Sequence, residues 1–408
     1  MPSYGAGTRY RNGNMAEHPY LRSMPFAFSL TDYSVRLGDL QDTFPAWLRT
    51  RGYSKYFVLV DENTRRHCLP AFLEKTGLPD AVKILEIRAG EQYKTLETCE
   101  QVWQQMLDAR LDRQALVVNL GGGVIGDLGG FCAATWKRGV DFVQVPTTLL
   151  AMTDAAIGGK LGIDFRGVKN TLGVFRNPAA VFADPAFLET LPERELRSGF
   201  AEVVKHALIG DPVLWNQLSE SFKLDRSDGV TQSHPVTEAT GASEAVTQSH
   251  RLATGISHRL TPDAWFELLQ ASVAVKVRVV QEDPLEKGLR AILNFGHTIG
   301  HALESYFLET DDPLTHGEAV AIGMVCESRI AGIGKLGAVM KVIKSHFPFR
   351  PIPEAVFPAI WELMQQDKKN AAGRVRMAVP GDEPFTLKIL EPEEDAVRES
   401  LEFYNRLS

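Results

Sequence analysis

Apolar positions along the chain follow two regimes. Up to about residue 190, short β-branched runs alternate with stretches whose apolar residues recur at helical spacing. Tyr56–Asp61 (YFVLVD), 82–88, 115–120 (ALVVNL) and 140–145 read as strands, with helices over 65–76 and 95–109. Continuous apolar strands separated by helices imply a parallel sheet covered on both faces. From Pro192 longer helical patterns take over, at 192–209, 211–221, 261–280, 286–307 and 316–336. A break at 347–353 (FPFRPIP) precedes one more helix, 353–367, and a small hairpin over 375–379 and 386–389. The predicted layout is an α/β domain over 28–191 and a mainly α-helical domain over 192–408, with the cleft between them as the default ligand site.

Two segments fit neither regime. Residues 1–27 carry Arg, Asn, Gly and Pro without an apolar signal core and read as a disordered tail. Residues 224–260 are rich in Ser, Thr, Gly and His, and VTQSH occurs twice in them. This is the mark of a low-complexity insert duplicated by slippage, so His234, His250 and His258 are set aside as metal ligands.

Within the helical half, Arg290, Asn294, His297, His301 and Glu304 recur at spacings of four, three, four and three, the spacing of one helix face. Their neighbours Leu293, Phe295, Ile299, Leu303 and Phe307 are apolar. A polar stripe in an apolar helix faces a cavity lined for a ligand, although paired histidines also occur as plain hydrogen-bonded pairs. Thr298 stands where a zincin has its catalytic Glu, which argues against a zinc protease. Spacing alone would give both imidazoles to a metal.

Composition narrows the partners. The 408 residues are 44% hydrophobic with a formal charge of −7, and that balance argues against a phosphate backbone as ligand. The four cysteines (Cys68, Cys99, Cys132 and Cys326) are scattered, as expected of buried thiols in the reducing cytoplasm. No apolar run reaches the roughly 18 residues of a membrane helix.

After the ALVVNL strand comes GGGVIGDLGG, in which Gly121, Gly123 and Gly126 satisfy G-x-G-x-x-G. Between a strand and a helix such glycines let backbone N–H groups approach a pyrophosphate. The motif follows about the third strand rather than the first, and no acidic residue ends the next strand. Asp61 and Asn63 close one strand, and Glu91 and Lys94 follow another, so these could hold a ribose or simply cap helices. Further on, Thr147, Thr148, Asp154, Lys160, Lys169 and Asn170 surround a glycine pair, and Glu202 and Lys205 lie a helical turn apart among apolar residues. Lysines that apolar neighbours desolvate need anionic partners.

GGGVIGDLGGF, VPTTLLAMTDAAIGGK, VKN, LPERELRSGFAEVVKH, NFGHTIGHALE, HGEAVAIGM and DKK together resemble the 3-dehydroquinate synthase family, from about Phe28 to Leu390. The resemblance implies a dehydroquinate-synthase-like fold: a Rossmann-like parallel-sheet domain that binds NAD, plus a helical domain that binds metal and substrate. It implies a divalent metal, zinc or cobalt, on Glu202, His297 and His316, an open three-ligand site suited to catalysis. It implies NAD contacts at Asp61, Asn63, Glu91, Lys94, Gly122, Gly123, Val124, Asp127, Thr147, Thr148, Lys160, Lys169 and Thr190. Substrate contacts carry over to Arg138, Asp154, Lys160, Asn170, Lys205, Lys276, Arg290, Asn294, His301 and one of Lys368 or Lys369.

The implied activity is a carbon–oxygen lyase of the shikimate pathway. It converts 3-deoxy-D-arabino-heptulosonate 7-phosphate to 3-dehydroquinate and phosphate by transient C5 oxidation, β-elimination, re-reduction, ring opening and aldol closure, with NAD regenerated. By the same resemblance the protein is a homodimer. Two alternatives are a sugar-phosphate cyclase with a valiolone-type or inosose product and a glycerol-dehydrogenase-type enzyme that would release NADH. The residue types at Lys276, Arg290, Asn294 and His301 favour dehydroquinate synthase.

Overall fold

The structure, a computed structural model, describes residues 25–79, 81–166, 168–224, 262–308, 310–366 and 374–407. The chain opens with the antiparallel pair β1 (Phe26–Ser29) and β2 (Ser34–Leu37), followed by helix α1 (Leu40–Leu48). Phe26 and Ala27 therefore belong to a strand, and the expected tail to residue 27 is too long; its residues 1–24 lie outside the described residues. The alternating region supplies β3 (Tyr56–Asp61), α2 (Glu62–His67), α3 (Leu69–Thr76), β4 (Lys83–Ile87), α4 (Leu96–Asp108), β5 (Leu116–Gly121), α5 (Gly123–Thr135) and β6 (Asp141–Pro146). The single helix expected over 65–76 is split at Cys68, where Asp61 and Thr64 form a capping box for α2 and Pro70 opens α3.

Beyond β6 a short π-helical turn (Ala151–Ala155) leads to the hairpin β7 (Lys160–Phe165) and β8 (Val168–Phe175), then β9 (Ala180–Ala183). The sheet order is β1-β2-β9-β6-β5-β3-β4, parallel throughout except for the β1–β2 edge. The fully buried β5 is an interior strand of this sheet, as its apolar run, interrupted by Asn119, leads one to expect. The glycine motif follows the fifth strand of the chain rather than about the third, because β1 and β2 are too short to show a period.

The helical half comprises α6 (Glu193–Gly210), α7 (Pro212–Leu224), α8 (Pro262–Glu282), α9 (His297–Leu308), α10 (His316–Ala331), α11 (Leu336–His346), α12 (Phe357–Gln365) and α13 (Glu394–Asn405), with the hairpin β10 (Met377–Pro380) and β11 (Leu387–Leu390). Residues 225–261 lie outside the described residues, and with them most of the expected insert.

One expectation fails at the centre of the molecule. The stripe over 286–307 is not one helix: Leu289–Asn294 is a 3-10 turn, and the chain breaks at Gly296, whose φ is +78°, before α9 begins at His297. Arg290 and Asn294 therefore do not share a helical face with His297 and His301.

Close helix contact then places the site. α10 is squeezed between α6 and α9. A Cβ at Gly317 would collide with the Ser198 backbone on α6, and one at Gly323 with the Gly296 carbonyl. The buried Glu327 of α10 accepts from the backbone N–H groups of Gly296 (2.7 Å) and Ile299 (3.0 Å), which fixes the start of α9. The capping box of Thr315 and Glu318 fixes the start of α10 at His316.

Candidate active site

Three helices deliver three donors. Glu202 on α6 is fully buried, and the Nε2 atoms of His297 and His316 each lie 3.5 Å from its Oε1. Tetrahedral coordination with bonds of about 2.0–2.1 Å puts donor atoms roughly 3.3 Å apart, so this trio fits a divalent metal with little movement. Neither carboxylate oxygen of Glu202 accepts a conventional hydrogen bond, though the Lys205 ammonium abuts Oε2. Against the desolvation of burial, the charges of Lys205 and His316 hold Glu202 below its usual range.

His301 follows His297 by one turn, its ring centroid 5.0 Å from that of His297 and 5.9 Å from that of His316. It joins an overlapping donor group with Glu304 and His316 rather than the Glu202 group. Glu304 accepts from His316 Nδ1 at 3.2 Å and from Lys169 Nζ at 2.8 Å. Although burial opposes it, the Glu304 and Glu202 carboxylates push His316 up to about 10, and His316 and Lys169 hold Glu304 well below the carboxylate range.

Beside the trio lies a cluster of buried charge. Asp154, on the π-helical turn, faces Lys276 at 2.7 Å, Lys205 at 3.8 Å and His206 Nε2 at 3.6 Å. Desolvation lowers Lys276 to about 8 despite Asp154, with Lys205 and Arg290 adding repulsion, while Lys276 and Lys205 hold Asp154 well down. His206, whose Nδ1 meets Ser272 Oγ at 2.8 Å, had no signal of its own in the sequence. The buried Arg290 donates to the Gly158 carbonyl at 2.9 Å.

Glu286 is the main residue that sequence reasoning missed. It pairs with Lys160 and accepts from Asn294 Nδ2 at 2.9 Å, drawing both into the cluster. The expectation of a helix from 286 hid it; it sits in a turn with φ +56°. Asn170, also in the left-handed region, follows Lys169 on β8.

The glycine loop lies next to this cluster at the carboxyl ends of β5 and β6. Gly122 caps α5, and a Cβ there would come within 3.1 Å of Thr148 Cγ2; a Cβ on Gly123 would meet Ala155, the neighbour of Asp154, at 3.6 Å. Gly121, Gly122, Gly123 and Gly126 line a small cavity with Pro146, Ala151 and Ala155. The backbone cradle and helix N-terminus suit a pyrophosphate. The buried Lys94 collects Glu91 at 2.8 Å, Asp127 at 3.4 Å and Asp164 at 4.0 Å. Burial pushes Asp127 up to about 7 even with Lys94 beside it, and Asp127 and Glu91 in turn raise Lys94 against desolvation. Asp61, Thr147 and Thr190 all act on the buried Cys68 thiol, which burial raises to about 12, so these three gather at one place. Asp61 also caps α2, with Asn63 exposed in its first turn, and Val124 is half-buried at the start of α5.

One assignment falls away from the cluster. Arg138 sits past the C-terminal end of α5, the opposite end from the glycine loop; thirteen helical residues span about 20 Å. Lys368 and Lys369 lie outside the described residues.

A sheet whose strand ends hold a glycine cradle, facing helices that carry a carboxylate–imidazole trio, defines a nucleotide- and metal-dependent enzyme of small molecules. The 3-dehydroquinate synthase N-terminal model matches residues 84–198 and the C-terminal model residues 199–370. The chain belongs to the 3-dehydroquinate synthase family. It is similar to the 3-dehydroquinate synthase of Halorhodospira halophila, 41% identical over 76% of this chain and 80% of the relative. It is also similar to that of Parabacteroides distasonis, 36% identical over 90% of this chain and 96% of the relative. Among solved structures, 2-epi-5-epi-valiolone synthase from Streptomyces hygroscopicus subsp. jinggangensis, with NAD+ and Zn2+ bound, superposes with a TM-score of 0.72. That match is 24% identical and covers 93% of this chain and 99% of the other, so it establishes the fold.

Proposed function

We infer that the chain converts 3-deoxy-D-arabino-heptulosonate 7-phosphate to 3-dehydroquinate and phosphate, as a lyase that uses NAD catalytically with a divalent metal, zinc or cobalt. The observation that carries this reading is the meeting of the Glu202–His297–His316 trio with the buried cations Lys205, Lys276 and Arg290 beside the glycine cradle. A polyol oxidation has no need of so many buried cations, whereas a substrate with a carboxylate and a phosphate does.

The sheet half up to about residue 191 would hold the dinucleotide, on the residues gathered around Gly122, Lys94 and Thr147. The helical half would hold metal on Glu202, His297 and His316. When bound, the two groups supply reversible hydride transfer and Lewis acidity at the C5 oxygen. The chain's own residues position and neutralise. Lys160, Lys276 and Arg290 bind the substrate carboxylate and nearby oxygens. Asn170, Asn294 and His301 hold the phosphate. Asp154, between Lys276, Lys205 and His206, orients a substrate hydroxyl. Elimination needs little more, because a phosphate oxygen held near C6 takes the proton itself.

Among the described residues no helix is long and apolar enough to cross a membrane. The four cysteines are buried and free, which supports a cytoplasmic location. The hairpin β7–β8 exposes Phe165, Val168 and Phe175 next to the site, which supports pairing with a second copy of the chain.

The deciding experiment offers purified enzyme heptulosonate phosphate or sedoheptulose 7-phosphate with catalytic NAD, and follows phosphate and NADH together with metal content. Phosphate release from the first, without lasting NADH, is expected. Turnover of sedoheptulose 7-phosphate alone, or NADH growing in step with product, overturns the assignment.

A further inference from the structure

One carboxylate joins the two halves of the site. Glu304, in the second turn of α9, places Oε1 2.8 Å from Lys169 Nζ on the β8 strand and Oε2 3.2 Å from His316 Nδ1 at the head of α10. Its side chain is only 14% exposed, so the geometry is held by packing rather than by chance surface contact. His316 uses its other nitrogen, Nε2, to face Glu202. The path from the nucleotide half to the metal trio is therefore Lys169, Glu304, His316, with no gap longer than 3.2 Å.

We propose that Glu304 is a positioning residue that couples dinucleotide affinity to metal affinity through Lys169 and His316. The inference rests on the reading of Glu202, His297 and His316 as metal ligands and of Lys169 as a dinucleotide contact. A histidine that ligates through Nε2 must keep its proton on Nδ1. A carboxylate accepting that proton's hydrogen bond fixes the tautomer and makes the ligand more basic. Here the same carboxylate is shared with an ammonium. While Lys169 rests on Glu304, it draws off part of the negative charge that would strengthen the His316 bond.

An anionic dinucleotide that engages Lys169 relieves that competition. Glu304 then accepts more strongly from His316, and the metal is held more tightly. Linkage requires the reverse as well: bound metal must raise dinucleotide affinity by the same factor. The coupling is positive.

The test measures Zn2+ affinity by chelator competition, with and without saturating NAD+, in the full chain and in Glu304→Gln, Lys169→Met and Glu202→Ala. Co2+ substitution adds an absorption spectrum that reports the ligand set independently of turnover. NAD+ affinity is measured with and without Zn2+. In the unaltered chain NAD+ should tighten Zn2+ about tenfold, and Zn2+ should tighten NAD+ equally, within the usual range of site-to-site coupling. Glu304→Gln keeps the shape of the side chain. It should weaken Zn2+ about 10- to 100-fold, as outer-sphere partners do, shift the Co2+ spectrum and reduce the coupling ratio to one. Lys169→Met should weaken NAD+ and also remove the coupling, while Zn2+ binds no more weakly than in the unaltered chain.

A coupling ratio of one in the unaltered chain, or a Glu304→Gln variant with normal Zn2+ affinity and normal coupling, overturns the proposal. Two controls separate that failure from failure of the reading beneath it. Unchanged Zn2+ affinity in Glu202→Ala would show that the metal lies elsewhere, and unchanged NAD+ affinity in Lys169→Met that the dinucleotide does; either removes the proposal with its premise. Melting temperatures close to that of the unaltered chain confirm that Glu304→Gln is folded when it is measured.

Discussion

The glycine cradle and the donor trio solve opposite problems. The cradle is made of backbone from one short stretch, Gly121 to Gly126, and it works because side chains are absent where Thr148 and Ala155 stand close. The trio is made of side chains from residues 202, 297 and 316, and it works because three helices are pressed together at Gly317 and Gly323. A site of the first kind should be intolerant of added volume. A site of the second kind should depend on charge, and its failures should appear in metal content before they appear in nucleotide binding.

The largest effect expected from that contrast is at the trio. Glu202→Ala or His316→Ala should remove bound metal and lower phosphate release at least a thousand-fold, equivalent to about 4 kcal/mol of barrier. NAD+ binding measured without metal should be nearly unchanged. Full activity in either variant after chelation would remove the ligand assignment.

His301→Ala divides the helical site further. It should slow phosphate release about 100-fold, the low end of what one preorganised donor to a developing anion contributes, with normal metal content. Loss of metal instead would return His301 to the ligand set that spacing alone suggested. A smaller effect belongs to the cradle. Gly122 has extended backbone that any residue adopts, so Gly122→Val adds volume without backbone strain. Its NAD+ dissociation constant should rise at least tenfold, about 1.4 kcal/mol, while metal content stays normal.

The same contrast explains what could be read in advance. Strands β3 to β6 and the cradle were legible because each is a local pattern: an apolar run, then glycines. The helical site was legible only as residue types. A spacing of four and three across Gly296 imitated a helix face, yet a left-handed glycine and a 3-10 turn interrupt it. The polar side chains converge all the same, because tertiary contacts aim them: Arg290 through the Gly158 carbonyl and Asn294 through Glu286. Glu286, His206 and Glu327 left no periodic trace, since each acts through one partner distant in the fold. Dividing the work between His297 and His301 required the family resemblance; in the structure His297 groups with Glu202 and His316, and His301 with Glu304 and His316.

The mildest prediction uses pH to separate the two halves. Lys276 on α8 is buried and faces Asp154 on the π-helical turn, Lys205 on α6 and Arg290 on the 3-10 turn. Burial outweighs the attraction of Asp154, and the two neighbouring cations add to it, so the ammonium is lowered to about 8. Below that pH the group is charged and can bind a substrate carboxylate; above it the charge is lost. The free-enzyme profile, kcat/KM against pH, should therefore fall about tenfold per unit above pH 8. NAD+ affinity over the same range should not follow, because Lys276 lies in the helical half. Lys276→Arg keeps its charge at every accessible pH, so its kcat/KM should be lower at neutral pH, from the altered geometry, but free of the fall near pH 8. An unchanged alkaline limb in that variant would assign the titration to another group and leave the Lys276 charge without a part in substrate binding.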